Sequence, residues 1–540
     1  MHKFLEFFPY DAARESQVDA IKFAIDSCIN DNKKFIIIEA GTGVGKSAIG
    51  LTLGRYLNSI SKDSDSCFSA GTYFLTTQKI LQDQYVSDFG KKRGCVKSIK
   101  SSSNYMCTYH KKNTCQASQQ LLRTADKDSK FFKTCTFNCN YKNEKSKFLE
   151  SEESVTNFPY FLAEATYSGK IVPRELLVVD EAHNVESELS KFIEVIISER
   201  FCKQSLKLDW PGKCTQAKVV KWIKEVYYNK AKSQLDHVEK MLKKTGLKSR
   251  LSEFSKLSNQ YDILKSHVNK IDMFLRIYNR DNWVMEAVPS FGRSQRKFSF
   301  RPIDVSYYAS NYLFRLGKTV LLMSATILDK ETFCKSLGID ESEASFISIP
   351  TPFPKENRPI LFVPAGSMAS KSIGGTLPRL RNSVNEILNF HKNEKGIIHC
   401  HTYRIAKYLK DNIKSDRLML HDATNRDETL KKHASSKKPV VLLSPSMAEG
   451  VDLKDDLSRF QVICKIPYPY LGDPLVKKRM NKWKKWYPMQ TAKLIVQSAG
   501  RSIRSDSDSA VTYILDADWK RFYYSNKGLF PKTFTDSLKG

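Results

Sequence analysis

The eight residues Ala40-Gly41-Thr42-Gly43-Val44-Gly45-Lys46-Ser47 limit the fold more than any other stretch of this chain. They follow Phe35-Ile36-Ile37-Ile38, an apolar β-branched run of the kind that is buried on both faces in a parallel sheet. They precede Ala48, Ile49, Leu51, Leu53 and Leu57, whose spacing continues as a helix. Strand, glycine turn and helix in that order form a phosphate loop. The glycines let backbone N–H groups wrap a phosphate, and the helix N-terminus adds its positive end. Gly41, Thr42, Gly43 and Gly45 supply the cradle, Lys46 reaches the terminal phosphates, and Ser47 offers a hydroxyl to Mg²⁺. The strict pattern G-x-x-x-x-G-K-[ST] has Gly where this chain has Ala40.

A second strand, Leu176-Leu177-Val178-Val179, delivers Asp180-Glu181-Ala182-His183. Asp180 at a strand end can hold Mg²⁺ through water, and Glu181 beside it can polarise the attacking water, so the pair turns a nucleotide site into a hydrolytic one. Late in the chain, Gln497-Ser498-Ala499-Gly500-Arg501-Ser502-Ile503-Arg504 reads as a helix with two arginines on one face. Guanidinium groups aimed at a γ-phosphate stabilise the charge that develops in phosphoryl transfer. Glu449-Gly450-Val451-Asp452 follows another strand. Gln17, on a helix marked by Val18, Ile21, Ile25 and Ile29, has an amide able to read an adenine edge, or to face solvent. Tyr73-Phe74-Leu75 reads as a strand ending in Thr76 and Thr77, candidates for contact with a nucleic acid backbone at the ligand-binding edge of the sheet. Further strands are expected at 319–323, 396–400, 439–443, 460–464 and 510–515.

Charge narrows the partner. The net charge is +29, and residues 91–150 and 201–300 together hold 22 of those 29 charges. Such clustering suits a polyanion, nucleic acid being the usual one. No run of about 18 apolar residues occurs, and the N-terminus lacks a signal-peptide layout, so an intracellular protein without a membrane span is expected. Of twelve cysteines, Cys107, Cys115, Cys135 and Cys139 are grouped, with gaps of 7, 19 and 3 residues. Four thiolates suit either a tetrahedral zinc or an iron–sulfur cluster, and spacing does not choose between them. Cys95 is a fifth candidate. His399 and His401 flank Cys400 on a strand but have no further ligand nearby in the sequence.

Taken together, these motifs resemble the superfamily-two DNA helicases of the XPD/DinG type. Phe8-Pro9-Tyr10-Asp11 with Arg14 and Gln17 is similar to the family's adenine-reading motif. Glu39 to Ser47 resembles motif I, where Ala in place of the first Gly is common, and Asp180 to His183 resembles motif II. Ser324-Ala325-Thr326 resembles motif III, Glu449 to Asp452 motif V, and Gln497, Gly500, Arg501 and Arg504 motif VI. In motif VI, Arg501 and Arg504 would take the phosphate-sensing and finger roles. Asn104-Tyr105-Met106-Cys107 resembles the surroundings of the first cluster cysteine, and Asn157 falls where the family tends to have Asn after the cluster domain.

The resemblance implies an α/β chain with two RecA-like parallel-sheet motor domains, an inserted iron–sulfur domain and a mainly helical arch domain. The first motor is expected at 1–90 and 151–189, completed by 300–345; the cluster domain at 91–150; the arch at 190–299; a linker at 346–376; and the second motor at 377–540. ATP, Mg²⁺ bound by Ser47 and Asp180, and a four-iron four-sulfur cluster (zinc the lesser alternative) are the implied cofactors. Lys46, Asp180, Glu181, Arg501 and Arg504 are the implied catalytic set, and Gln17, Gly41, Thr42, Gly43, Gly45, Lys46, Ser47, Asp452 and Gln497 the nucleotide set. The implied activity is that of a monomeric motor moving five-prime to three-prime on single-stranded and forked DNA and unwinding duplex. The alternative is a nucleic-acid translocase, or an RNA-directed helicase, without duplex DNA unwinding.

Overall fold

The computed structural model describes residues 3–41, 43–61, 67–90, 96–123, 125–245, 251–289, 295–422, 425–445, 455–500, 503 and 508–539. Thr42, Cys95, Glu449 to Asp452, Arg501 and Arg504 lie outside them. Among the described residues, ten strands precede residue 350: β1 (Phe35–Ala40), β2 (Ser69–Thr76), β3 (Lys97–Ser98), β4 (Glu153–Asn157), β5 (Arg174–Asp180), β6 (Val195–Ser198), β7 (Trp283–Val288), β8 (Lys297–Pro302), β9 (Gly317–Ser324) and β10 (Ala344–Ile349). Seven of them form one parallel sheet in the order β10-β1-β9-β5-β2-β4-β3.

The apolar runs form inner strands because both faces of this sheet are covered. On β1, Phe35 and Ile37 point into one core with Tyr73, Leu75, Leu177, Val179, Val320 and Leu322. Ile36, Ile38 and Ala40 point into the other, with Phe74, Leu176, Val178, Leu321 and Met323. This is the two-residue alternation of a strand with no wet face. Each fully buried Ile or Leu contributes about 1.5–3 kcal/mol. Because the strands are parallel, β1, β9, β5 and β2 all end at the same edge, with Glu39 beside Ser324 and Asp180 beside Met323.

A second parallel sheet holds β11 (Ile360–Gly366), β12 (Gly396–His399), β13 (Leu418–Leu420), β14 (Val441–Ser444), β15 (Phe460–Ile463), β16 (Val511–Asp516) and β17 (Leu538–Lys539). Its order is β13-β14-β12-β15-β16-β11-β17. The fold is thus α/β with two parallel-sheet units of the RecA-like kind. The expected linker over 346–376 is corrected: β10 runs to Ile349 on the edge of the first sheet, and β11 is an inner strand of the second. Pro350, Pro352, Pro354, Pro359 and Pro364 gave the stretch its linker appearance. Pro364 sits inside β11 where the register to β16 shifts, a place where a strand tolerates proline.

Two inserts interrupt the first unit. The one before β4 carries the four grouped cysteines, Cys115 and Cys135 on short helices, Cys107 in a loop and Cys139 just ahead of the helix Asn140–Glu150. The one after β5 has a pair of long helices, Tyr228–Thr245 and Leu251–Ile277, and a three-stranded antiparallel sheet, β6-β8-β7. The inserts share a core: Leu121, Phe131 and Cys135 of the first pack with Val238, Leu242, Phe254, Tyr261 and Leu264 of the second. Among the described residues no helix is long and apolar enough to cross a membrane.

The two sheet units meet through buried charge. Arg479 of the second unit pairs with Glu186 of the first at 2.7 Å, and its guanidinium also donates to the carbonyls of Ile303 (2.9 Å) and Pro302 (3.2 Å). Trp486 Nε1 donates to the other Glu186 oxygen at 3.0 Å. Arg301–Asp473 and Lys482–Asp304 flank the contact. Removing one partner of a buried pair leaves the other charge uncompensated. Glu186→Ala is therefore expected to destabilise the chain by about 3 kcal/mol in denaturant unfolding. Loss of either flanking pair at the more exposed rim is expected to cost under about 1 kcal/mol.

Candidate nucleotide site

The phosphate loop is built as its glycines require. Gly43 (φ 80°) and Gly45 (φ 85°) have left-handed backbone, and a Cβ on Gly45 would collide with the Gln17 amide. Gly45 caps the helix Lys46–Ile60, which starts at the lysine and leaves its first N–H groups facing the loop. Lys46 Nζ donates to the Ala40 carbonyl at 3.3 Å. Two residues ahead of β1 brace the loop from outside. Gln17 Nε2 donates to the Val44 carbonyl (2.9 Å), and Gln17 Oε1 accepts from Arg14 N (2.9 Å). Arg14 Nη1 donates to the Gly43 carbonyl at 2.9 Å. Gln17 is buried, and its amide here engages the loop and its own helix cap.

Across the sheet edge, β5 delivers Asp180, 7% exposed. Burial first, and the neighbouring Glu181 charge second, push its carboxyl up to about 6, against the pull of Lys46. Glu181 N donates to Asp180 Oδ1 at 2.9 Å. Glu181 has left-handed backbone (φ 54°), a strained conformation for a residue with a long side chain. Asp180 stays in the wall, whereas the Glu181 side chain is 29% exposed.

His183 joins three elements. Its Nδ1 lies 2.7 Å from Ser324 Oγ and 3.3 Å from Glu181 Oε2. Its Nε2 lies 2.8 Å from Gln497 Nε2, on the helix Trp486–Ala499 of the second unit. An amide N–H can only donate, so Nε2 is the acceptor and the ring proton sits on Nδ1, facing Ser324 and Glu181. Gln497 Nε2 also donates to Thr326 Oγ1 (3.2 Å), and Thr326 N donates to Ser324 Oγ (3.0 Å). A polar chain therefore runs from the acid strand through the end of β9 into the other sheet unit.

Of the sequence-predicted residues, Gly41, Gly43, Gly45, Lys46, Ser47, Gln17, Asp180, Glu181 and Gln497 gather at this edge. Thr76 is buried and its hydroxyl donates to the Gln78 carbonyl at 3.1 Å; Thr77 is half-buried beside it. Sequence reasoning named Glu39 only as the start of motif I and missed its role: its buried carboxylate accepts from Leu328 N (2.7 Å) and Ser348 Oγ (3.1 Å) and so ties β1 to the turn after Thr326. Its signal was an acid inside an otherwise apolar strand.

Four cysteines make up the donor set that the implied cluster would use. Cys107, Cys115, Cys135 and Cys139 are all buried free thiols. Burial pushes the Cys115 thiol up to about 12, and Cys139, Cys107 and Cys135 act on it in the same direction. Burial likewise lifts Cys135 to about 11. Four such thiols ionise together only if positive charge joins them. His110 N donates to Cys107 Sγ at 3.3 Å, and Cys139 caps the helix Asn140–Glu150. Among the described residues no three His, Cys, Asp or Glu side chains converge on one ion position; His399 and His401 gain no third ligand.

The raised Asp180 carboxyl gives a signed expectation. In the unfolded chain this group ionises near pH 4, in the folded chain near 6, so wild type loses stability as pH rises between those values. Asp180→Asn is expected to match wild type at pH 4 and to be more stable by about 2–3 kcal/mol at pH 8, in urea unfolding without divalent metal.

Comparison with known proteins agrees with this architecture. A family model described as the helicase C-terminal domain matches residues 387–536, and one described as the res subunit of type III restriction enzymes matches residues 11–209. The chain is 27% identical over 240 residues to the ATP-dependent DNA helicase DinG of Photobacterium profundum, covering 40% of this chain but only 34% of that protein. It is 20% identical over 568 residues to the ATP-dependent DNA helicase YoaA of Escherichia coli, covering 89% of this chain and 88% of that one. Among solved structures, an XPD helicase superposes with a TM-score of 0.66 at 16% identity, covering 98% of this chain and 100% of the other. Xpd4 of S. tokodaii gives 0.57 at 14% identity, with 98% and 100% covered. The two matched regions, their order and the shared fold make the chain similar to superfamily-two helicases of the XPD/DinG type.

Proposed function

We propose that this chain is an ATP-dependent DNA helicase that moves on single-stranded DNA, five-prime to three-prime, and unwinds duplex. One observation carries the reading: Gln497 of the second sheet unit reaches His183 and Thr326 of the first, beside the phosphate loop. A nucleotide site walled by two units changes shape when they separate, and such a change can ratchet a strand.

In this reading the loop N–H groups and Lys46 hold the phosphates, and Ser47 and Asp180 would hold Mg²⁺, which supplies Lewis-acid neutralisation of the phosphate oxygens. Glu181 accepts the proton of the attacking water, its side chain partly exposed at the turn after Asp180. His183, held by Ser324 and Gln497, fixes the Glu181 carboxylate from behind. Arg501 and Arg504, four and seven residues after Gln497, are the proposed sources of positive charge for the departing phosphate. Thr76 is fully buried, so of the two expected contacts only the half-buried Thr77 is left for a DNA strand, which would pass the end of β2 there. We assign 91–150 to an iron–sulfur domain held by Cys107, Cys115, Cys135 and Cys139, and 190–299 to the arch. The four thiols lie near enough to act on one another, which supports a shared centre, with zinc the lesser alternative to the cluster.

The deciding measurement is ATP hydrolysis with and without single-stranded DNA. Stimulation by the strand is expected, with Lys46→Ala abolishing hydrolysis while circular dichroism stays native; full activity in that variant would sink the assignment. Forks bearing either a five-prime or a three-prime tail, in DNA and in RNA, then fix polarity and substrate. Displacement of RNA alone would move the chain to the RNA-directed reading. Protein purified without air is expected to be brown, and an active, colourless, zinc-loaded preparation would overturn the cluster assignment.

A further inference from the structure

We propose that Tyr85 is a positioning residue for the metal side of the phosphate site: its phenol hydroxyl sets the Ser47 hydroxyl and the Asp180 carboxyl in the orientation that accepts Mg²⁺. The inference rests on the phosphate-site reading above and extends it to a residue outside the recognised motifs.

Tyr85 is 3% exposed and lies on the helix Lys79–Phe89, which follows β2. Its ring is clamped between Phe74 (centroids 5.5 Å apart) and Phe89 (5.9 Å). The hydroxyl is buried and makes no hydrogen bond of normal geometry. The polar groups that act on it are the Ser47 side chain and the Asp180 carboxyl, with Glu181 beyond. A buried hydroxyl without a bond is unfavourable, and Phe would fill the same space without that cost. An unpartnered oxygen kept in such a place, with two would-be metal ligands as the polar groups acting on it, points to work done when the metal side is assembled.

The rest of the helix holds Tyr85 in place. Gln82 Nε2 donates to Ser98 Oγ (2.6 Å) and to the Ile99 carbonyl (2.7 Å), and Gln82 Oε1 accepts from Asn157 Nδ2 (3.3 Å). Lys100 pairs with Asp83 at 2.5 Å, and Lys79 Nζ donates to Asn104 Oδ1 at 2.9 Å. One face of the helix is thus fastened to the segment leading into the cysteine insert, and the other presents the phenol to the nucleotide site. A phenol can accept from Ser47 O–H, leaving the serine lone pairs for a cation, and donate to Asp180, fixing which carboxylate oxygen faces outward. Partners of this kind behind a metal ligand are worth about 10- to 100-fold in metal affinity.

The test is Tyr85→Phe in the full chain, read by binding of a fluorescent non-hydrolysable ATP analogue across a MgCl₂ titration. The half-saturating Mg²⁺ concentration is expected to rise about tenfold. Analogue affinity in EDTA is expected to stay at the wild-type value, and the melting temperature to hold or rise. A Mg²⁺ requirement equal to wild type overturns the proposal. So does a loss of analogue affinity of the same size with and without Mg²⁺, which would mark a packing role. Wild-type protein that binds no analogue at all would instead remove the phosphate-site reading on which the proposal stands.

Discussion

β9 hydrogen-bonds on one side to β1, which carries the phosphate loop, and on the other to β5, which ends in Asp180. The chain makes β1 and β5 early and then travels through more than a hundred residues of insert before returning to fill the gap between them. All three strands run parallel, so their carboxyl ends share one edge, and ligands gather at such an edge. Without β9 in that slot, the acid strand and the phosphate loop would have no common support. Ser324 and Thr326 would also lose their place between His183 and Gln497.

Around that edge, the protein maintains several arrangements that are unfavourable by themselves. Asp180 is a buried acid that resists ionisation, Glu181 bends into left-handed backbone, Glu39 is a carboxylate inside a strand, and Tyr85 hides an unbonded hydroxyl. Each costs stability, and each lies at the end or the back of the nucleotide site. Strain and buried polarity concentrate at sites that act, while the apolar faces of the sheet supply the compensating free energy. The Arg479–Glu186 pair has the same character at the junction of the units. As a buried pair it adds little net stability, but it admits only one good geometry.

Much of this was legible in the sequence, because strands buried on both faces are written as apolar runs. β1, β5, β9, β12 and β14 to β16 all read that way. β4 did not: Glu153-Ser154-Val155-Thr156-Asn157 is polar in composition, yet it is fully buried because its polar groups find partners, Glu153 on Arg55 (2.5 Å) and Ser154 on the Phe148 carbonyl (2.5 Å). β10 and β11 were hidden by prolines that fall at strand edges and in a bulge. Gln17 was legible as a site residue, but the loop carbonyl it binds was not, since that contact depends on how the helix crosses β1. The cysteine spacing marked out a group of four thiols. Whether the thiols converge is a property of three-dimensional placement, and no gap length encodes it.

The core shared by the two inserts bears on how the molecule is made. Leu121, Phe131 and Cys135 lean on Val238, Leu242, Phe254 and Leu264, side chains that leave the ribosome more than a hundred residues later. Contacts so distant along the chain form slowly, after closure of a long loop. During synthesis the first insert therefore waits, with part of its apolar wall missing, until the long helix pair emerges. The apolar shelter around Cys135 is completed by a segment translated after the acid strand, so the packing of the first insert is a late event in the life of the nascent chain.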